Sequence, residues 1–230
     1  MVMAIIEKDK PLPRHTRLDY DECYAKLVLE KFFPDEYKKL ELSDRPDLRD
    51  NARNIGIEVT SAYPSHMQEA LSLFSSMKDR NEKGKAKGIK QLQKLGYNYT
   101  ENGMDSPLFS YSIIGNEYPD IEQAMPSPVI DAVRVKLNKL NEGGYADLRQ
   151  YNLFIQTEPK LDDWMPPEIM KRLLTLSNRE KKYSVIYVLA ITDLLIFDIE
   201  AQTWTRLKAG TKLYGLGDQA RAMVEEGEEQ

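Results

Sequence analysis

The stretch Leu40-Glu41-Leu42-Ser43-Asp44-Arg45-Pro46-Asp47-Leu48 leads through the polar turn Asp50–Asn54 into Ile55-Gly56-Ile57-Glu58-Val59-Thr60-Ser61-Ala62. Leu40 and Leu42 alternate with Lys39 and Glu41, the period of a strand with one apolar side. Pro46 breaks this run, and Asp47-Leu48 begins a second extended piece. In the third piece Ile55, Ile57 and Val59 face one way, and Gly56, Glu58 and Thr60 the other. Leu40–Ala62 therefore reads as a compact β-meander.

Two acids in this meander carry candidate chemistry. Glu58 projects opposite to the apolar residues of its strand, so it is not a core residue of that face. Asp47 lies on the neighbouring strand, and a tight turn brings both side chains to one edge. Gly56, on Glu58's side two residues earlier, leaves room for a ligand or marks a bulge. A magnesium-type ion takes oxygen ligands, commonly one or two carboxylates completed by water and substrate phosphate. The pair is thus a candidate site for a divalent ion, Mg2+ or Mn2+. The competing roles are a turn residue for Asp47 and a solvated strand residue for Glu58.

Outward from the meander, Asp19 and Glu22 have capping-box spacing. Ala25, Val28, Leu29 and Phe32 then form one apolar helical face, which Pro34 ends. Ser65–Lys78 and Lys85–Leu95 read as helices and Tyr97–Pro126 as loop, so that about residues 63–126 form an insertion. A helix over Ser127–Asn141 has Pro128 in its first turn and Gly143-Gly144 past its end. Strands are expected at Asn152–Thr157, Val185–Ile191, Leu194–Ile199 and Thr203–Leu207, with a helix from Pro166 to about Arg179. The tail Glu225–Gln230 is acidic and expected to fray. The order predicts an α/β protein with a mixed central sheet flanked by helices, one domain over residues 1–230 that carries the insertion.

Composition narrows the function classes. Of 230 residues, 41% are hydrophobic and 30% charged, which suits a folded domain rather than a disordered chain. One cysteine, Cys23, excludes an internal disulfide and a cysteine-rich zinc site, and its helical setting suggests packing. His15 and His66 have no partner at metal-ligand spacing, and Trp164 and Trp204 read as packing residues. No stretch has the length and apolarity of a membrane span, so no membrane partner and a cytoplasmic location are expected. The net charge of −5 does not mark a general polyanion binder. Locally, Lys78, Arg80, Lys83, Lys85, Lys87, Lys90 and Lys94 stand against only Asp79 and Glu82. That run is either a solvated helix face or a phosphate-contacting surface.

Pro46-Asp47, ten intervening residues and Glu58-Val59-Thr60 resemble the signature of the PD-(D/E)xK, or restriction-endonuclease-like, nuclease superfamily. Pro-Asp alone also occurs at Pro34-Asp35 and Pro119-Asp120. The discriminating feature is the acid in an alternating strand with a helix ahead. The resemblance runs from about Tyr20 to Thr157, without the insertion, and implies an αβββαβ core. It implies metal-dependent hydrolysis of a nucleic acid, DNA foremost, and it admits a homodimer. A nuclease fold that binds nucleic acid or protein without cutting is the alternative. The superfamily usually has lysine two residues after the acid, where this chain has Thr60. Lys136, at the edge of the apolar stripe Val129, Ala132, Val133 and Leu140, is the candidate to supply the ammonium from a helix, with Lys139 second. Glu22 is the candidate first-helix acid and additional metal ligand, with capping as its competing role.

Overall fold

The computed structural model describes residues 16–62, 81–95, 126–157, 161–190 and 193–228, with the helical positions Glu69 and Leu73. The chain divides into two compact units, Met1–Ala62 with Val129–Gln230, and Tyr63–Pro128. The expected helix over Ser65–Lys78 and loop over Tyr97–Pro126 fall outside the described residues, apart from Glu69, Leu73 and Pro126.

The first unit is built on a seven-stranded mixed sheet with strands side by side in chain order. These are β1 (Glu41–Leu42), β2 (Leu48–Asp50), β3 (Ile55–Ser61), β4 (Gln150–Gln156), β5 (Tyr183–Leu189), β6 (Asp193–Asp198) and β7 (Thr203–Lys208). β1, β2 and β3 pair antiparallel, as the meander requires. β3, β4 and β5 pair parallel, and β5, β6 and β7 return to antiparallel. Parallel neighbours need crossover connections. Helix α4 (Pro126–Glu142) precedes β4 and α5 (Met165–Leu176) precedes β5.

Strand alternation sorts the side chains into two layers. Helix α1 (Tyr20–Phe32) lays Ala25, Val28 and Leu29 on Ile57, Val59, Phe154, Tyr187 and Leu189. On the other face, Val133 and Leu137 of α4 and Leu173 of α5 meet Tyr183 and Ile186 of β5 around a small cavity. Glu58 pairs in register with Leu153, which pairs with Ile186, so Glu58 belongs to the layer under α4. One strand thus gives Ile57 and Val59 to one core and Glu58 to the helix that carries Lys136.

Two elements depart from expectation. Pro34 closes α1 but also opens a one-turn helix, α2 (Pro34–Tyr37), because proline suits a first helical turn. The described part of the acidic tail is helical rather than frayed: α6 (Leu216–Glu228) takes in Glu225–Glu228, with Arg221–Glu225 at 2.7 Å, and the last two residues lie outside the described ones. Ala220 and Val224 of α6 pack on the fully buried Cys23 of α1, so the cysteine is a packing residue. Burial first raises its thiol pKa to about 11. Among the described residues no helix is long and apolar enough to cross a membrane. Helix α3 (Glu82–Lys94) belongs to the second unit.

Candidate metal and catalytic site

The pairing of Leu48 with Ile57 continues so that Asp47, just before β2, stands opposite Glu58. Two backbone contacts hold it there. Val59 N–H donates to Asp47 Oδ2 at 2.7 Å, and Ser43 N–H donates to the Asp47 carbonyl at 2.9 Å. Gly56 has a different role from the one expected. A Cβ on it would lie 2.3 Å from Pro46 Cγ and 2.5 Å from Leu148 Cδ1, so its side is filled by protein rather than open to a ligand. The missing side chain seats Pro46 and with it fixes the start of Asp47.

Lys136 joins the two acids. Val129, Val133, Leu137 and Leu140 form the buried stripe of α4, and Lys136 lies at its edge. Its ammonium donates to Glu58 Oε2 at 2.7 Å and lies 3.6 Å from Asp47 Oδ2. Burial works against this charge, but the Glu58 hydrogen bond and the Asp47 charge outweigh it, and the lysine pKa is raised. Asp47 is raised by burial first and by Glu58 second, with Lys136 and the Val59 N–H offsetting part. Lys139 is exposed on the same helix and takes no part.

Glu22 sits in the first turn of α1, where Asp19 caps the helix by accepting from the N–H groups of Asp21 and Glu22 at 2.8 and 3.3 Å. Its carboxyl is pushed up to about 7, by burial first and then by Asp47, while Lys136 pulls it down. Glu22 therefore lies within electrostatic reach of all three site residues as well as in the capping segment. The folded state holds the Glu22 proton more tightly than the unfolded state does. The resulting stabilisation is complete below about 4.5 and is lost as pH rises through about 7. In metal-free protein, Glu22→Gln should match the wild type in urea melts at pH 4 and be more stable at pH 8. Equal differences at both pH values would contradict this assignment.

Two residues of the site carry no signal in the sequence. Gly143 and Gly144 take positive φ of 98° and 87°, and the chain then presents Tyr145 to Glu58. Burial first, then the Glu58 charge, raise the Tyr145 hydroxyl pKa, while Arg45 lowers it. The Gly-Gly pair signalled a turn, but nothing in it showed where the turn leads. Tyr183 on β5 is 2% exposed, and its hydroxyl is buried without a hydrogen-bond partner. Its pKa is raised by burial and then by Glu58, Tyr145 and Asp47. Of the residues set aside, His15 and His66 lie outside the described residues. Trp164 and Trp204, expected to pack, keep 45% and 38% of their surface exposed.

Among the described residues no three acidic, histidine or cysteine side chains close on a single point. The set that converges is the carboxylate pair of Asp47 and Glu58, with Glu22 at longer range. Its donors are all oxygens, the chemistry a hard divalent cation takes. Glu58 Oε1 is buried and has no hydrogen-bond partner, an oxygen open to such an ion. Two such carboxylates, completed by water, are a donor set that a magnesium-type ion can take. No family model, curated protein or solved structure matches the chain, so the reading of its function rests on this site.

Proposed function

We propose that the protein is a metal-dependent nuclease that hydrolyses phosphodiester bonds, with DNA as the substrate class. In this reading its site follows the PD-(D/E)xK pattern, with the lysine moved from strand to helix. One observation carries it: a single ammonium, Lys136 Nζ, bridges carboxylates from two neighbouring segments of a meander. Asp47 and Glu58, with Glu22, would hold Mg2+ or Mn2+. Bound there, such an ion activates water and offsets charge on the scissile phosphate.

The chain's own residues supply the rest. Lys136 places a fixed positive charge in a partly buried site, where it favours the charge that grows on a phosphate in transit. Glu58 holds that ammonium in place, and the Val59 N–H holds Asp47. Thr60, on Glu58's side of the strand, leaves the ammonium's task to α4.

The test is incubation with linear and circular DNA in Mg2+, Mn2+ or EDTA. Cleavage that needs the ion and is lost in Glu58→Gln is the expected result. Ion-dependent binding without cutting would replace it with the inactive nuclease-fold binding module. Neither binding nor cutting would discard both readings.

A further inference from the structure

Helix α3 arranges the basic run as a single face. At about 100° per residue, Lys83, Lys87, Lys90 and Lys94 fall within about 60° of one another around the helix axis. All four are exposed, while Gly88 and Leu92, on the far side, are buried. Glu82 pairs with Lys85, which lies off this face, at 3.4 Å. None of the four stripe lysines has an acidic partner among the described residues. Lys78 and Arg80, the start of the run, lie outside those residues.

Such a face burdens the helix that carries it. Like charges three and four residues apart repel and destabilise a helix. Gly84 and Gly88 further lower the helix propensity of this segment. A polyanion lying along the stripe would relieve the repulsion.

We propose that this stripe is a docking surface for the phosphate backbone of duplex nucleic acid, engaged without regard to base sequence. From Lys83 to Lys94 the helix rises about 16 Å. Over that length a duplex presents about ten phosphates, enough to meet all four ammonium groups. Lysines act as mobile point charges, suited to backbone rather than base edges. A membrane-surface helix would need exposed bulky apolar residues beside its charges. Here the residues flanking the stripe are Ala86, Gln91 and Gln93, and Leu92 is buried. This surface goes beyond the cleavage reading and does not depend on it, since it binds whether or not Asp47 and Glu58 cut.

The test is fluorescence anisotropy of a labelled duplex with the full chain in EDTA, repeated over a range of salt concentrations. Wild type should bind with a steep salt dependence. Changing Lys83, Lys87, Lys90 and Lys94 together to Gln should lower the slope of log affinity against log salt by about 3.6. At 0.1 M salt that corresponds to an affinity loss on the order of a thousandfold. Glutamine has nearly the helix propensity of lysine, and circular dichroism checks the fold. Should the quadruple variant misfold, Lys87→Gln and Lys90→Gln alone should each lower the slope by about 0.9. A control changing the exposed Lys31, Lys38, Lys39 and Lys171 to Gln alters net charge equally and should leave the slope nearly unchanged. An unchanged slope in the stripe variants, or an equal loss in the control, would overturn the proposal. So would absence of duplex binding by wild type, or stripe-dependent binding to phosphatidylserine vesicles in its place.

Discussion

Lys136→Met is expected to cut the cleavage rate by about a hundredfold or more while the protein still binds divalent ions. Methionine keeps much of the lysine's length and removes its charge. Glu58, its side chain 3% exposed, then loses the ion pair that Lys136 makes at 2.7 Å and keeps no other among the described residues. Breaking a buried pair by removing one partner costs about 3 kcal/mol, so the metal-free variant should melt well below wild type. A divalent ion restores positive charge beside Glu58. The rise in melting temperature with Mg2+ or Mn2+ should therefore be at least as large in the variant as in wild type. Undiminished cleavage by Lys136→Met would refute the transfer of the ammonium to the helix. A variant that is inactive and also blind to the ion would reduce Lys136 to a structural residue.

Asp47→Asn separates ligand chemistry from folding at the second carboxylate. Asparagine retains an oxygen that can accept from Val59 N–H, the bond now 2.7 Å long, so the junction between β2 and β3 persists. Its urea midpoint should stay close to that of wild type, within about 1 kcal/mol in stability. The lost charge weakens the grip on the ion and the balance against Lys136. Outer-sphere changes around bound metals cost about 10- to 100-fold, and loss of a direct ligand should cost at least as much in ion affinity and cleavage. Asp47→Ala adds an unpartnered Val59 N–H and should lose stability as well. If Asn responds to Mg2+ as wild type does, Asp47 serves the turn and not the ion.

The meander was legible because its alternation is strict: Ile57 and Val59 go to the α1 core and Glu58 to the α4 layer, as the two-residue period requires. The edge position of Lys136 was legible for a similar reason, since its place relative to Val129, Val133 and Leu140 sets its direction. Gly56 misled because a glycine looks the same in sequence whether it admits a ligand or a proline ring, and here the ring of Pro46 occupies the space. Tyr145 and Tyr183 were invisible because their approach to Glu58 depends on a turn and on the register of β4 with β5, both set by tertiary packing. Helix α6 was missed because its apolar stripe, Leu216, Ala220 and Val224, is short and set among two glycines and four acids, and its helical state comes from Ala220 and Val224 docking on Cys23.

The most direct test of the carboxylate site is a crystal soaked in Mn2+ and measured at a wavelength where manganese scatters anomalously. One anomalous peak is expected within coordination distance of both Asp47 and Glu58, with Glu58 Oε1 among its ligands and the Lys136 amine displaced from, but still beside, the pair. An absence of manganese between these carboxylates under saturating ion, or a peak bound only elsewhere, would contradict that expectation.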